Sequence, residues 1–258
     1  MLVSVTATRG SVPREAGTWM AVYATSLLGT IGGGRLELDA CSHARVLLAR
    51  VVADPSAVKT DRVLYRLGPS LGQCCGGEVE LQFEAISAQD ATALRTRLVA
   101  RHQPLALFGG GHVGRALVHV LSTLPFQITW IDSRDEIFPD SVAPTVQCEH
   151  SDPVQAAVPH LAAGSRVLVM SFSHAEDLDI VAACLTRQRE RGDLPYVGLI
   201  GSKTKWASFR SRLSDRGFSA EELAHVTCPI GIPGIKDKQP EAIAVSVAAQ
   251  LLLLQNQP

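Results

Sequence analysis

The sequence has no basic excess. Lys and Arg number 24 against 25 Asp and Glu, so the chain lacks the positive surface that neutralises a nucleic-acid backbone. Aromatic residues are scarce, at 5%, which leaves little material for base-stacking platforms. Nucleic acid is therefore not an expected partner. Long apolar runs are missing too. The longest nearly apolar stretch, AIAVSVAAQLLLL at 242–254, is too short for a membrane span and is broken by Ser246 and Gln250. It reads as a buried terminal helix. The opening MLVSVTATRGS shows no basic segment followed by an apolar core, so no secretory signal is expected there. Disulfide staples are not expected either, because a chain of 258 residues has room for two domains, each with its own core. With six cysteines scattered at 41, 74, 75, 148, 184 and 228, a reducing cytoplasm is the expected compartment. What remains is an ordinary globular balance of 46% hydrophobic and 19% charged residues, which excludes disorder as the main state.

The first hundred residues read as an α+β domain. LVSVTAT and TWMAVYA are strand patterns around the turn RGSVPREAG. In TIGGGRLELDACSHARVLLARVVAD a glycine run leads into a helix, with Leu36, Ala40, Ala44, Leu47, Leu48 and Val51 at helical spacing. DRVLYRL and EVELQFEAI are two further strands, separated by GPSLGQCCGG, and a polar helix SAQDATALRTRLVARH closes the segment. From Leu105 the texture changes. PLALFG, QITWID, RVLVMS and PYVGLIG are short apolar runs, each followed by a turn and a helical segment, which predicts a parallel sheet covered on both faces. The expected class is α/β, with an N-terminal α+β domain over residues 1–102 and a Rossmann-like domain over 103–258.

Three glycine-rich segments carry the chemistry. LALFGGGHVGRALVHVL places Gly109, Gly111 and Gly114 in GxGxxG spacing between a strand and a helix. That pattern suits a tight turn, a close approach to phosphate and close helix–strand packing. Asp132 ends the next strand, where an acid can bond a ribose hydroxyl. Ser133 and Arg134 behind it can equally meet a phosphate, and His112 lies inside the loop. A nucleotide is the expected ligand, with glycines retained only for packing as the competing account. TIGGGRLE offers Gly32, Gly33 and Gly34 before a helix, with Arg35 close by and Arg14 as a further donor. This is either an anion cradle or a turn that needs glycine. In LGQCCGG, the glycines Gly72, Gly76 and Gly77 permit a tight loop that displays Cys74 and Cys75. Displayed thiols are soft-metal ligands or nucleophiles, although no CxxC pair or nearby histidine completes a zinc site. Gly201, Ser202, Lys203 and Lys205 form one more strand–helix turn, read as a phosphate contact or a solvated basic cap.

Taken in order, GSVPREAG, GTIGGGRLE, LGPSLGQCCGG, LALFGGGHVG, YVGLIGSK and CPIGIPGIKDKQPEAIAVSVAAQLL resemble the XdhC/CoxI family over nearly the whole chain. The resemblance implies a chaperone that is not itself an enzyme. Such a protein binds molybdenum cofactor (molybdopterin), assists its sulfuration by a cysteine desulfurase and delivers it to apo-xanthine dehydrogenase in purine catabolism. It maps the family's cysteine role onto Cys75 or Cys74, with Cys75 favoured as a molybdenum contact and Gly76 and Gly77 beside it. His174 matches a histidine-containing turn of the family, but Phe172 stands where a second histidine is expected. The alternative function is an NAD(P)-dependent oxidoreductase that uses the glycine loop and Asp132. The apolar terminal helix is available to a homodimer interface.

Overall fold

In the N-terminal sheet, alternation decides which face is buried. The computed structural model describes residues 1–54, 59–68, 76–98 and 102–255, and the chain divides into two units, Met1–Val99 and Ala100–Pro258. The first unit contains β1 (Leu2–Arg9), β2 (Trp19–Val22), β3 (Leu27–Gly29), α1 (Gly34–Ala53), β4 (Thr60–Arg66), β5 (Glu78–Glu84) and α2 (Ala91–Leu98). Its five strands form one antiparallel sheet in the order β3-β2-β1-β5-β4. Along β5, Val79, Leu81 and Phe83 are buried while Glu78, Glu80, Gln82 and Glu84 stay partly exposed, the two-residue period of a sheet with one covered face. α1 supplies the cover. Leu36, Ala40, Ala44 and Leu47 pack with Val3, Val5, Met20, Leu81 and Phe83 in a single core, as the 3.6-residue spacing requires.

The second unit contains β6 (Gln103–Phe108), α3 (His112–Leu121), β7 (Phe126–Asp132), β8 (Val146–His150), β9 (Arg166–Val169), α4 (His174–Arg191), β10 (Tyr196–Leu199), α5 (Lys203–Asp215), α6 (Ala220–Ala224), β11 (Val226–Thr227) and α7 (Pro240–Gln255). All neighbouring strands pair in parallel, in the order β11-β10-β9-β6-β7-β8. Both faces are covered, which explains why the strands read as continuous apolar runs. Leu105 and Leu107 of β6 point to the α3–α7 side, while Ala106 and Phe108 point to the α4–α5 side. The strand order reverses between β6 and β9. That reversal opens a crevice beyond the carboxyl ends of the strands.

The expected α/β class, with an antiparallel first part and a Rossmann-like second part, is what the structure shows. Three edge strands carry no sequence signal. β3 is three exposed residues. β8 is an edge strand in which only Val146 is buried, and β11 is two residues long. The terminal helix α7 also differs from a fully buried segment. Ala244, Val247, Ala248 and Leu251 face the core, whereas Val245 and Leu253 are exposed. Among the described residues no helix is long and apolar enough to cross a membrane.

Candidate functional site

Glycine spacing places the loop after β6 at the crevice, and the backbone shows which glycines the fold itself requires. Gly109 has φ +124°, and a β-carbon there would lie 2.0 Å from the Met170 carbonyl oxygen. A β-carbon at Gly114 would lie 2.0 Å from the Gly109 carbonyl oxygen. Gly111 is different. It precedes α3 with φ −69°, a value open to any residue, and nothing lies within 4 Å of its missing β-carbon. The fold does not need glycine at 111, and the space beside it is open.

Asp132 ends β7, with a side chain that is 1% exposed. Its Oδ2 accepts the Gly110 amide at 2.6 Å and Arg134 Nη2 at 2.8 Å. Its Oδ1 accepts the Arg134 amide and Arg134 Nε, both at 2.9 Å. A carboxylate offers about four lone-pair positions, and here all four are in use. Burial pushes the carboxyl upward, but the Arg134 guanidinium and the Gly110 and Arg134 amides outweigh it and hold the group below its ordinary value. Asp132 orients Arg134 and the loop, and the ribose contact expected of it has no acceptor left in this arrangement.

A cavity of about 370 Å³ lies in front of these groups, lined by Gly110, Gly111, His112, Arg115, Arg134 and Ile137. Arg115 is pinned by Nε to the Gly110 carbonyl at 3.3 Å and by Nη2 to the Ile137 carbonyl at 2.8 Å. The Arg134 guanidinium carbon stacks 4.8 Å from the Phe172 ring centroid. Phe172 thus has a role of its own, although the sequence marks it only as a departure from a histidine. His174 begins α4 and meets Phe209 edge-on at 6.3 Å. Ser133 donates to Glu176 Oε1 at 2.6 Å, tying the end of β7 to α4.

At the far side of the crevice, Lys205 donates to Asp177 Oδ2 at 2.6 Å and to the Ile200 carbonyl at 2.9 Å. The side chains are 12% and 3% exposed, and Asp177 Oδ1 also accepts from the Ser171 amide and hydroxyl, each at 2.8 Å. Lys205 is therefore a neutralised structural cation and not a free phosphate contact. Lys203 lines a separate cavity with Pro229, Ile230 and Ile232. Breaking one side of a buried pair strands the other charge. Lys205→Met is expected to cost about 3–5 kcal/mol, read as a lowered urea midpoint. Lys205→Met combined with Asp177→Leu should cost less than Lys205→Met alone.

In the first unit the loop after β1 lies against Gly32 of the glycine run and against Gly77. A β-carbon on Gly77 would lie 2.5 Å from both the Arg9 and Ser11 carbonyl oxygens, and one on Gly32 would lie 2.7 Å from Pro13 Cβ and 3.2 Å from Arg14 Cγ. The loop after β1 therefore contacts both the glycine run and the residue that leaves the thiol loop. Gly76 is open, with nothing within 4 Å of a β-carbon. Gly72, Cys74 and Cys75 lie outside the described residues. The amides of Ile31 and Gly33 donate to Glu37 Oε2 at 3.0 and 3.1 Å, and Thr30 Oγ1 donates to it at 2.5 Å. The chain's own carboxylate thus takes the Gly33 amide, while the Gly32 amide donates to Thr30 Oγ1 at 3.1 Å. Arg35 pairs with Asp39 at 2.9 Å, and Arg14 is exposed.

The four described cysteines are free, and burial raises the pKa of each. Cys184 is pushed up to about 12 and Cys228 to about 11, and Cys41 and Cys148 move in the same direction. None of these four has the lowered pKa of a reactive thiol. Among the described residues, no group of three His, Cys, Asp or Glu side chains is placed to hold a metal ion.

Residues 105–251 match the XdhC Rossmann domain, and residues 1–53 match the XdhC and CoxI family. The chain belongs to the XdhC and CoxI family. It is 25% identical over 256 residues to the uncharacterized protein YqeB of Escherichia coli K12, covering 99% of this chain and 43% of that protein. The chain thus spans less than half the length of this curated relative. Its fold is similar to that of a crystal structure titled as a xanthine dehydrogenase from Bacillus halodurans. The TM-score is 0.78, with 18% identity, covering 99% of this chain and 92% of the other.

Proposed function

We propose that this protein is an accessory factor for xanthine dehydrogenase, a chaperone that binds molybdenum cofactor, assists its sulfuration by a cysteine desulfurase and passes it to the apoenzyme in the cytoplasm. Membership of the XdhC and CoxI family supports the accessory role. The observation that carries the cofactor reading is the packing of Gly77 and Gly32 against the single loop Arg9–Arg14. That loop meets Gly77, which follows Cys74 and Cys75 in the chain, at Arg9 and Ser11, and meets the glycine turn at Pro13 and Arg14. Molybdenum is thiophilic and the pterin bears a phosphate, so two thiols and a guanidinium match the cargo in chemistry. Cys75, with Cys74 as its neighbour, is the residue assigned to guard the metal. Gly76 and Gly77 let the chain leave the loop without side chains. The glycines at 32–34 shape the turn around Glu37, and any contact they make with the cargo would be additional to that bond.

An NAD(P)-dependent oxidoreductase is the less favoured reading. The crevice provides an Arg-lined cavity, but the ammonium of Lys205 is neutralised by Asp177.

The test uses the full chain purified without oxygen. Wild-type protein should carry molybdopterin, measured as oxidised pterin fluorescence per protomer. With desulfurase and cysteine present, it should activate apo-xanthine dehydrogenase faster than an equal amount of free cofactor does. A bound nicotinamide in place of pterin, together with no gain in activation, would remove the chaperone reading.

A further inference from the structure

We infer that the cavity at Gly110–His112 is a phosphomonoester site, and that Arg134 selects such a group over a free ribose diol. The inference goes beyond cofactor delivery, because it holds or fails without molybdenum in the sample.

The first observation is the saturation of Asp132. In a dinucleotide fold the acid at the end of the second strand selects an unmodified ribose by accepting its hydroxyls, whereas an arginine nearby accommodates a phosphate there. Here Gly110 and three Arg134 N–H groups occupy all four acceptor positions of the carboxylate. A diol arriving at that point finds no acceptor. Recognition by Asp132 would require breaking a buried charged fork.

The second observation is what the fork leaves available. A guanidinium has five N–H groups, and Arg134 spends two of them on Asp132. The bonds on its Nε and Nη2 edge and the Phe172 ring against its face fix its plane. Three donors remain on a cation that is 33% exposed and lines the cavity. Arg115 enters the same cavity with both of its bonds made to neutral carbonyls. Among the described residues, no carboxylate lines the space. Asp132 offsets the charge of Arg134 but leaves three of its donors, and Arg115 adds a cation with no carboxylate bonded to it, so the two forks suit a tetrahedral oxyanion by geometry and by charge.

The third observation is Gly111. Its backbone accepts any residue and its β-carbon position is empty, so the absence of a side chain serves the cavity and not the fold.

A phosphomonoester can come from two sources, the 2′-phosphate of an adenine dinucleotide or the terminal phosphate of a pterin. The experiment titrates the full chain at low salt with NADP⁺, NAD⁺ and inorganic phosphate, reading heat or the fluorescence of Trp130, whose Nε1 donates to the Gly109 carbonyl. A 2′-phosphate source predicts NADP⁺ binding about tenfold or more tighter than NAD⁺, the scale of charge-assisted bonds. Arg134→Ala should erase the preference by weakening NADP⁺ while NAD⁺ holds or gains, because Asp132 acceptors are freed. A general loss of positive charge would instead weaken both. A pterin source predicts phosphate binding and pterin retention that both fall in Arg134→Ala, with neither dinucleotide bound. Arg115→Ala serves as the second variant if Arg134→Ala melts early, and should weaken the phosphate ligand in the same direction. The inference is overturned if wild type binds NAD⁺ as tightly as NADP⁺. It is equally overturned if neither NADP⁺ nor phosphate binds, or if both variants bind them unchanged.

Discussion

Gly109→Ala will destabilise the Rossmann unit by roughly 3–5 kcal/mol, at the upper end of single-residue effects. Two penalties combine. The backbone at 109 has φ +124°, a region that L-residues rarely adopt. The added methyl would also sit 2.0 Å from the Met170 oxygen and 2.7 Å from its carbonyl carbon. Neither neighbour can rotate away, since Met170 bonds through its amide to the Phe108 carbonyl at 2.9 Å and Gly109 bonds through its amide to the Ile131 carbonyl at 2.8 Å. Relief would require β6 and β9 to separate at the centre of the sheet. Against a typical total of about 5–15 kcal/mol, that cost removes much of the margin. A urea melt followed by circular dichroism reads it directly. The control is Gly111→Ala, which should stay within about 0.5 kcal/mol of wild type as an open, exposed position. Gly111→Asp should also stay folded while losing any phosphate ligand, through bulk and like charge. A Gly109→Ala protein that melts with wild type would show that the close approach to Met170 is not a constraint.

Replacing both Cys74 and Cys75 by alanine is expected to abolish molybdopterin retention, a loss of about a hundredfold or more. Thiolate donors bind a soft metal directly, and even outer-shell partners are worth 10–100-fold. The four other cysteines do not substitute, because burial raises all of their pKa values. The fold should survive, since the unit's core runs through Val3, Met20, Leu36, Leu81 and Phe83. Gly77 holds the exit of the loop by accepting the Leu67 amide at 2.8 Å. Cofactor binding by the wild type should weaken as pH falls below the pKa of the binding thiol, because protonation removes the donor. The measurement is pterin per protomer for each single variant and the double variant, beside a circular dichroism spectrum of each. A double variant that retains cofactor and still activates xanthine dehydrogenase would make the loop structural.

These two expectations differ in where they come from. Local spacing sufficed for the architecture. The alternation in EVELQFE, the 3.6-residue apolar face of α1 and the repeated strand–turn–helix texture after Leu105 each act over a few residues, within the reach of periodicity and turn chemistry. The glycine loop is legible for the same reason, as a strand, three spaced glycines and a helix follow one another directly. The short edge strands β3, β8 and β11 are not legible, because segments that are exposed, half-buried or two residues long leave no apolar pattern.

What the polar groups do was decided only in three dimensions. By sequence Asp132 is an acid in a ribose-binding position, but folding brings the Gly110 amide, 22 residues away, and the Arg134 fork onto it and fills its acceptors. Lys205 reads as a free ammonium until α5 packs against α4 and Asp177 neutralises it across 28 residues. The triple glycine reads as an open cradle until the first turn of α1 sets Glu37 into it. Only the pairing of β1 with β5 brings Gly77 beside Arg9 and Ser11. A hydrogen-bonding group is defined by its partners, and the partners of buried polar groups are distant in the chain. Local patterning along the chain is therefore enough for the central strands of both sheets, their covering helices and the position of the glycine loop. Tertiary packing decided which charges remain free to meet a ligand, because a donor or acceptor spent on another side chain is no longer available to one.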